Sequence, residues 1–496
     1  MLSISSTIFS STGLLYLIGI WAASRLVRAL YNVSPLHPLS HIPGPKLAAA
    51  TFLYEAWFDL IQGGRFTHEI RRLHEIYGPV VRINPEEIHF NDPSFIDEVY
   101  STAGRARNKQ HHYVAFATGP SAEAMFATID HKQHRVRRSA MNKFFSRAQI
   151  ARLEPEIQRL ADQLCDKIVR LGTKDHEPLD ITRAYSCFAA DVISGYCFGE
   201  SIGFTIFLFR FIPVTKLVVP LVPFLWRWLS PSLQVYMDES TQKMPARVRQ
   251  ARQEFEAGTI PSRPTIFHAL LTSSLPEAER TDYRLTGDGL SLNAAGTETT
   301  AATTYYLLSQ PETLARLVEE LEAADASNRT WNELERLPYL GAVIAEALRL
   351  AYGVSPRSPR IAPTERLLYR GQFQGRKIVY DIPPGTPVGM SNAINHHNED
   401  VFPDSHSFRV ERWLEADEAQ RRRLETSMTS FSRGSRSCVG MNLAYCNLYV
   451  ALAALAVRVL PRARLYQTTV EDVAYDHDVF VGVPKRSSKG VRVVVS

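Results

Sequence analysis

The sequence predicts a mainly α-helical protein with small β-sheets (α+β). Apolar residues recur at helical spacing in five long segments, whereas strand-like alternation is confined to two short runs. No internal repeat, low-complexity tract or second linker divides the chain after its N-terminal region. Hydrophobic residues make up 45% of the 496 positions, which is enough for one large core.

The predicted helices cover residues 153–171, 289–309, 311–324, 331–351 and 439–457. Pro311 followed by Glu312 is typical of a helix start, because the first turn leaves its N–H groups unpaired and proline has none to lose. The predicted strands cover residues 377–382, followed by the turn PPGTP, and residues 490–495.

The N-terminus predicts a membrane anchor over residues 1–27. Residues 2–23 carry no charge, and about 20 such residues span a bilayer as one helix. Arg25 and Arg28 follow, which favours a cytoplasmic location for the rest of the chain. A cleaved signal peptide is the alternative, but its charges normally precede the apolar run.

Residues 28–45 are predicted to form a stiff linker, since Pro35, Pro38, Pro43 and Pro45 favour an extended backbone. Residues 46–496 then form a single domain. The net charge of +5 is too small to indicate nucleic-acid binding.

Five cysteines without a CxxC pair exclude a disulfide framework and a zinc ribbon, and they favour a reducing compartment. Four of them sit among apolar neighbours and are interpreted as packing residues: Cys165, Cys187, Cys197 and Cys446. The fifth, Cys438, is different.

Cys438 lies in the loop FSRGSRSCVG, directly before an apolar helix. A helix N-terminus and nearby cations favour the thiolate, which is the metal-binding form of cysteine. Gly434 and Gly440 permit close backbone approach, Arg436 supplies a cation, and Phe431 supplies an apolar wall. The alternative, a small buried hydrophobe, leaves this clustering without a purpose.

The helix 289–309 contains Ala295 and Gly296 at its centre, followed by Glu298 and Thr299. A glycine inside a helix costs about 1 kcal/mol relative to alanine. The compensating gain is either close approach of a flat ligand or a kink with a hydroxyl partner. An acid beside a threonine also suits proton relay. A polar helix face is the alternative interpretation.

Glu346 and Arg349 lie one turn apart in an apolar segment, which predicts a buried ion pair. Such a pair needs further partners, and Arg412 is the candidate third member.

Taken together, these motifs resemble the cytochrome P-450 family of haem-thiolate monooxygenases. FSRGSRSCVG matches FxxGxRxCxG at every fixed position, AGTETT at 295–300 matches [AG]Gx[DE]T[TS], and Glu346 with Arg349 matches ExxR. FRVERW at 408–413 is similar to the PERF-type segment of the family.

The resemblance implies a fold with haem b between the long central helix and the loop of Cys438, which ligates the iron. Thr299 and Glu298 would deliver protons, Ala295 and Gly296 would admit the haem, and Glu346, Arg349 and Arg412 would form a structural triad. The propionate partners implied are Arg436, His131, Arg135 and Arg360, with Arg357 as a weaker candidate.

The family further implies insertion of oxygen from O2 into an apolar small molecule, with NADPH-derived electrons supplied by NADPH–cytochrome P-450 reductase. Several stretches resemble the fungal microsomal branch that includes trichodiene oxygenase. We therefore expect a monomer in the endoplasmic reticulum membrane, with a cytoplasmic catalytic domain and a terpenoid or other secondary-metabolite substrate.

The chain departs from the family pattern in two places. About 20 residues are missing after Phe204, and about four are missing near Thr300. A haem-binding but catalytically impaired homologue is therefore the alternative. A non-oxygenating relative is disfavoured because Glu298 and Thr299 are present.

Overall fold

The computed structural model describes residues 11–102, 104–115, 117–175, 178–199, 238–259, 261–293, 299–326 and 329–496. Its α-helices are α1 Ser11–Val33, α2 Lys46–Ala50, α3 Leu53–Ala56, α4 Phe66–Tyr77, α5 Ile96–Val99, α6 His111–Val114, α7 His131–Asn142, α8 Arg147–Asp175, α9 Ile181–Phe198, α10 Met244–Glu256, α11 Ile266–Leu271, α12 Asp282–Asn293, α13 Thr299–Ser309, α14 Pro311–Ala323, α15 Trp331–Leu334, α16 Pro338–Ala351, α17 Asn392–Asn395, α18 Glu411–Leu414, α19 Glu418–Ser427 and α20 Met441–Arg458. Short π-helical and 3₁₀ turns connect several of them.

The strands are short and form small sheets. They are β1 Val80–Arg82, β2 Ile88–Phe90, β3 Asn108–Lys109, β4 Leu179–Asp180, β5 Arg360–Ile361, β6 Leu367–Phe373, β7 Arg376–Ile382, β8 Pro387–Gly389, β9 Ala463–Leu465, β10 His477–Asp478, β11 Gly482–Val483 and β12 Arg492–Val495. The largest sheet has the order β1-β2-β8-β5-β3, and the others are β4-β12-β9, β6-β7 and β10-β11. The mainly helical fold class with small sheets is confirmed.

The helices predicted over residues 153–171, 311–324 and 439–457 appear as α8, α14 and α20, with ends that differ by up to six residues. The prediction of one helix over residues 331–351 is wrong. Pro338 starts a new helix at its first turn, so α15 and α16 are separate. The predicted central helix corresponds to α12 and α13, and residues 294–298 between them lie outside the described residues.

The N-terminal helix α1 differs from the helices of the domain because its apolar residues are exposed. Two helical segments are long and apolar enough to cross a membrane, residues Gly13–Val33 and Met441–Arg462. In the apolar stretch of the first segment only 6% is buried, against 67% in the second, so the second is a core helix. The first remains a candidate anchor.

The predicted extended linker over residues 28–45 is wrong in detail. Helix α1 continues to Val33, and consecutive tight turns follow, with hydrogen bonds such as His37 N to Ser34 O at 3.2 Å. Leu39 and Ile42 are buried against the β1–β2 region. The segment belongs to the packed domain because its apolar side chains find partners there.

Candidate haem-binding site

Cys438 stands between a 3₁₀ turn, Gly434–Arg436, and the start of α20. Its N–H donates to the Phe431 carbonyl oxygen at 2.9 Å, which closes the loop, and Cys438 is an exposed residue. Gly434 has a φ of 73°, and a Cβ there would lie 2.3 Å from the Tyr100 carbonyl oxygen. Glycine is therefore required, and the loop presents the thiol in a fixed position. The Phe431 ring packs 5.2 Å from the Tyr445 ring, centroid to centroid.

Protein around the loop acts on the Cys438 thiol in opposite directions. Although Cys438 has exposed surface, the protein around it displaces water and raises the pKa of the thiol, while the Gly440 N–H and the Arg138 guanidinium favour the thiolate and oppose this rise. Arg138 Nη1 donates to the Ser437 carbonyl oxygen at 2.5 Å, and Nη2 lies 3.4 Å from the Cys438 carbonyl oxygen. Arg138 thus ties α7 to the cysteine loop, a contact that the sequence analysis did not predict.

A cluster of buried cations lies beside this loop. Lys109 on β3 and Arg360 on β5 are direct cross-strand partners, although like charges in such positions repel. Arg436 is also buried and donates to the carbonyl oxygens of Arg107, Thr128 and Ile129 at 3.1, 2.7 and 2.7 Å. Among the described residues, none of these three cations forms an ion pair with a carboxylate.

Burial and mutual repulsion both lower the pKa values in this cluster. Burial, and then Arg360 and Arg436, lower the pKa of Lys109 well below its usual value. Burial and the cations Arg436, Lys109, Arg138 and Arg360 lower the pKa of His134 to about 2. Lys109, Arg360 and Arg436 are therefore buried near one another beside a neutral His134, and Asp130 partly offsets the charge of Arg436. This arrangement suits an anionic ligand.

Some of the predicted propionate partners lie in the cation cluster and others do not. Arg436 and Arg360 belong to the cation cluster. Arg135 is exposed, and His131 is buried with its backbone N–H bonded to Asn108 Oδ1 at 2.9 Å. Arg357 is already paired with Glu87 at 2.9 Å and with Glu55.

His134 and Arg138 on α7 also lie beside the cluster, three residues further along than the predicted pair, and burial together with Arg436 lowers the pKa of His131 as it does that of His134. The repeated His-x3-Arg spacing in HKQHRVRR was the signal that contained both pairs.

Glu346, Arg349 and Arg412 meet in the core behind the loop. Arg349 donates to both carboxylate oxygens of Glu346 at 2.8 and 2.9 Å, and both side chains have no exposed surface. Arg412 Nε lies 3.4 Å from Glu346, and Trp413 Nε1 donates to it at 2.9 Å. The buried charges are thus paired and hydrogen-bonded, as such charges must be.

Ala295, Gly296 and Glu298 lie outside the described residues. Thr299 opens α13, and its side chain is not described. The roles predicted for these four residues stay predictions. The shortened segment after Phe204 also falls outside the described residues.

Comparison with known proteins decides the family. The sequence model named Cytochrome P-450 matches residues 43–457. The chain belongs to the cytochrome P-450 family. Proteins of this family hold haem iron, use a redox partner and oxidise small molecules, and its curated relatives are named as monooxygenases.

Three relatives illustrate the range of the similarity. The cytochrome P-450 monooxygenase tpcC of Cochliobolus heterostrophus is 38% identical, over 93% of each chain. The conidiogenone synthase of Penicillium rubens is 37% identical, over 93% of this chain and 94% of the relative. The tryptophan 6-hydroxylase fscE of Fusarium equiseti is 35% identical, over 95% and 94%.

The residues present fit a haem. The exposed residue Cys438 offers the thiolate ligand that distinguishes this family, and Gly440, whose added Cβ would lie 4.0 Å from the Cys438 sulfur, leaves the approach open. The cation cluster offers counter-charges for the two carboxylates of the porphyrin. Lys109, His134 and Arg138 extend the set predicted from sequence.

Proposed function

We propose that this cytochrome P-450 is a membrane-anchored monooxygenase that oxidises an apolar secondary-metabolite intermediate, such as a terpenoid, with O2 and NADPH-derived electrons. The observation that carries the proposal is the cysteine loop beside a cluster of buried cations, in a chain whose relatives carry named metabolic activities. Haem b is the proposed cofactor, and NADPH–cytochrome P-450 reductase is the proposed electron donor.

Bound haem supplies the redox chemistry that activates dioxygen. The chain's own residues hold and tune it. Cys438 ligates the iron, and Arg138 stabilises negative charge at that loop. Glu298 and Thr299 are proposed to pass protons from solvent to the distal side, with Ala295 and Gly296 leaving room for the flat macrocycle.

An aromatic wall beside the cation cluster supports an apolar substrate. The rings of Tyr113, Phe126 and Phe480 lie 5.8 to 6.4 Å apart, centroid to centroid. Lys109 Nζ lies 3.5 Å from the Phe126 ring centroid, which places this wall next to the proposed propionate site. Aromatic side chains provide the large apolar contact area that a hydrocarbon skeleton needs.

A second candidate substrate class is an indole such as tryptophan. It is favoured by two relatives, the tryptophan 6-hydroxylase fscE and the N-acetyltryptophan 6-hydroxylase ivoC of Emericella nidulans, at 35% and 36% identity. The same aromatic wall suits a planar indole ring.

The proposed location is the endoplasmic reticulum membrane, with a cytoplasmic catalytic domain. Asn32 near the end of α1 is fixed to the domain by Nδ2 to the Ala50 carbonyl oxygen at 3.1 Å. Leu47, Leu53 and Trp57, which follow shortly after in the chain, are exposed apolar residues. Such a surface beside an apolar helix supports contact with lipid.

The test uses full-length protein in microsomes with NADPH and reductase. Metabolite profiles of a producing host with and without the gene identify the substrate, which is then supplied to the microsomes. An oxygenated product that needs NADPH and Thr299 supports the proposal. A thiolate-type carbonyl spectrum without oxidation of that substrate indicates an impaired homologue, and product from tryptophan alone indicates the second substrate class.

A further inference from the structure

His396 lies between the helix that carries Glu346 and Arg349 and the segment that leads to Cys438. Its Nδ1 is 2.8 Å from the Arg349 carbonyl oxygen, and its Nε2 is 3.0 Å from the Thr429 N–H nitrogen. Its own carbonyl oxygen accepts from Arg349 Nη1 at 2.9 Å. The imidazole has no exposed surface, so both nitrogens depend on these partners.

The two partners fix the state of the ring. A carbonyl oxygen only accepts, so Nδ1 carries the hydrogen. A backbone N–H only donates, so Nε2 offers its lone pair. His396 is therefore a neutral imidazole in one tautomer, and burial, which lowers its pKa to about 4, is consistent with that state.

Thr429 is the first fixed point of the cysteine loop. Its carbonyl oxygen accepts from Ser432 N at 2.7 Å and from Asn392 Nδ2 at 3.0 Å. Its hydroxyl donates to Asn392 Oδ1 at 2.7 Å. Two residues beyond Thr429, the Phe431 carbonyl oxygen accepts from Cys438 N. A displacement at Thr429 is thus passed to the cysteine through consecutive hydrogen-bonded turns.

We propose that His396 is a positioning residue for the iron ligand: its Nε2 lone pair holds the Thr429 N–H and thereby couples the buried ion-pair core to the Cys438 loop. The inference rests on the proposed role of Cys438 as haem ligand. The proposal gives His396 Nε2 the task of holding the Cys438 loop in place. Neither Glu346 nor Arg349 does this, because in the described hydrogen bonds neither side chain contacts the loop directly.

A matched pair of substitutions tests the acceptor atom. In His396→Gln the side-chain oxygen is placed to replace Nε2 as acceptor for Thr429 N–H. In His396→Asn the shorter amide is placed to replace the Nδ1 donor to Arg349 O but does not reach Thr429. Both variants remove the ring, but Asn leaves the larger cavity, so His396→Leu is added as the packing control: it fills a volume close to that of Gln without an acceptor, and we expect it to behave like His396→Asn.

The measurement is the fraction of bound haem that gives the thiolate-type absorption of the reduced carbonyl complex, in full-length protein. We expect His396→Gln to stay close to the wild type and His396→Asn to fall several-fold, with a shifted reduction potential in the haem that remains. His268→Asn is the control, since this histidine is bonded on both ring nitrogens, to Thr265 and Glu254, on α11.

A fraction in His396→Asn or His396→Leu equal to that in His396→Gln overturns the proposal. The Thr429 hydroxyl also lies 3.3 Å from His396 Nε2, so a second variant must leave Thr429 intact. If His396→Asn fails to fold, Asn392→Ala decides, because it removes the bonds between Asn392 and Thr429 but keeps both contacts of Thr429 with His396 Nε2. Retention of the thiolate spectrum in Asn392→Ala supports the proposal, and its loss assigns the positioning to Asn392. A wrong assignment of Cys438 as the iron ligand would be recognised separately, because Cys438→Ala would then keep the thiolate spectrum.

Discussion

Replacing Glu346 by glutamine tests how much the buried ion-pair core contributes to holding the fold. The Glu346 carboxylate accepts from Arg349 Nε and Nη2, Arg412 Nε, Trp413 Nε1 and the backbone N–H of Arg409, at 2.8 to 3.4 Å. Glutamine keeps the shape but removes the charge. It also replaces one acceptor oxygen by an NH2 group that faces donors.

The expected cost follows from this geometry. Both guanidinium groups keep their charges, because arginine stays protonated in proteins. Removing one partner of a buried pair typically costs about 3–5 kcal/mol. Carbonyl oxygens of His396, Ser405 and Ser407 still accept from Arg349 at 2.6 to 3.1 Å, so we expect the lower part of this range, about 3 kcal/mol.

Thermal unfolding of the purified full-length protein, followed by haem release and by circular dichroism, measures the effect. Glu418→Gln is the matched control, because its partner Arg422 lies 3.7 Å away and both side chains are largely exposed. Exposed pairs of this kind contribute little. If Glu346→Gln unfolds at the same temperature as Glu418→Gln, the charge of the pair does not stabilise the core and the reasoning is refuted.

Three further predictions concern other parts of the site and its support. Gly434→Ala, at φ 73°, should cost more than about 1 kcal/mol and lower the haem content, measured as haem per mole of protein. His74 is held neutral by burial at a pKa of about 4, with Nε2 accepting from His89 at 2.7 Å. The contribution of neutral His74 to the free energy of unfolding is fully present above pH 6.5, and it should fall by roughly 3 kcal/mol as the pH drops to about 4. Denaturant titrations across this pH range should show a smaller loss of stability in His74→Gln than in the wild type, and an equal loss contradicts the prediction. Arg138→Gln should lower haem retention several-fold, whereas Arg135→Gln should not, since Arg135 is exposed; equal retention in both variants would speak against Arg138.

Local signals in the sequence predicted local structure well. Helix α14 begins at Pro311 as predicted, because proline at the first turn and the amphipathic spacing act within a few residues. The strand predicted over 377–382 appears as β7, paired with β6 across a tight turn. The break before Pro338 was not predicted because apolar residues continue at helical spacing across it, although a proline in this position favours a helix start.

Partners distant in sequence were not predictable in the same way. The ExxR spacing indicated the Glu346–Arg349 pair, which lies within one helical turn. The acceptors of Arg349 at Ser405 and Ser407 are main-chain oxygens, which leave no trace in the residue types. His396 is one of several histidines in its segment, and only the packing of the loop against α16 selects it.

Which α7 residues lie beside the cysteine loop cannot be predicted from local sequence alone. Two His-x3-Arg pairs, His131 with Arg135 and His134 with Arg138, are offset by three positions, close to one helical turn, so they share nearly the same helix face. Asp130 caps the helix through the N–H of residue 133, which places the first pair in the first turns and the second pair about one turn deeper. Of the four residues, Arg138 reaches the carbonyl oxygens before and at the cysteine, some 300 positions away in the chain. A ligand loop is encoded in ten consecutive residues, whereas its counter-charges come from β3, β5 and α7 and are selected by the fold that brings these elements together.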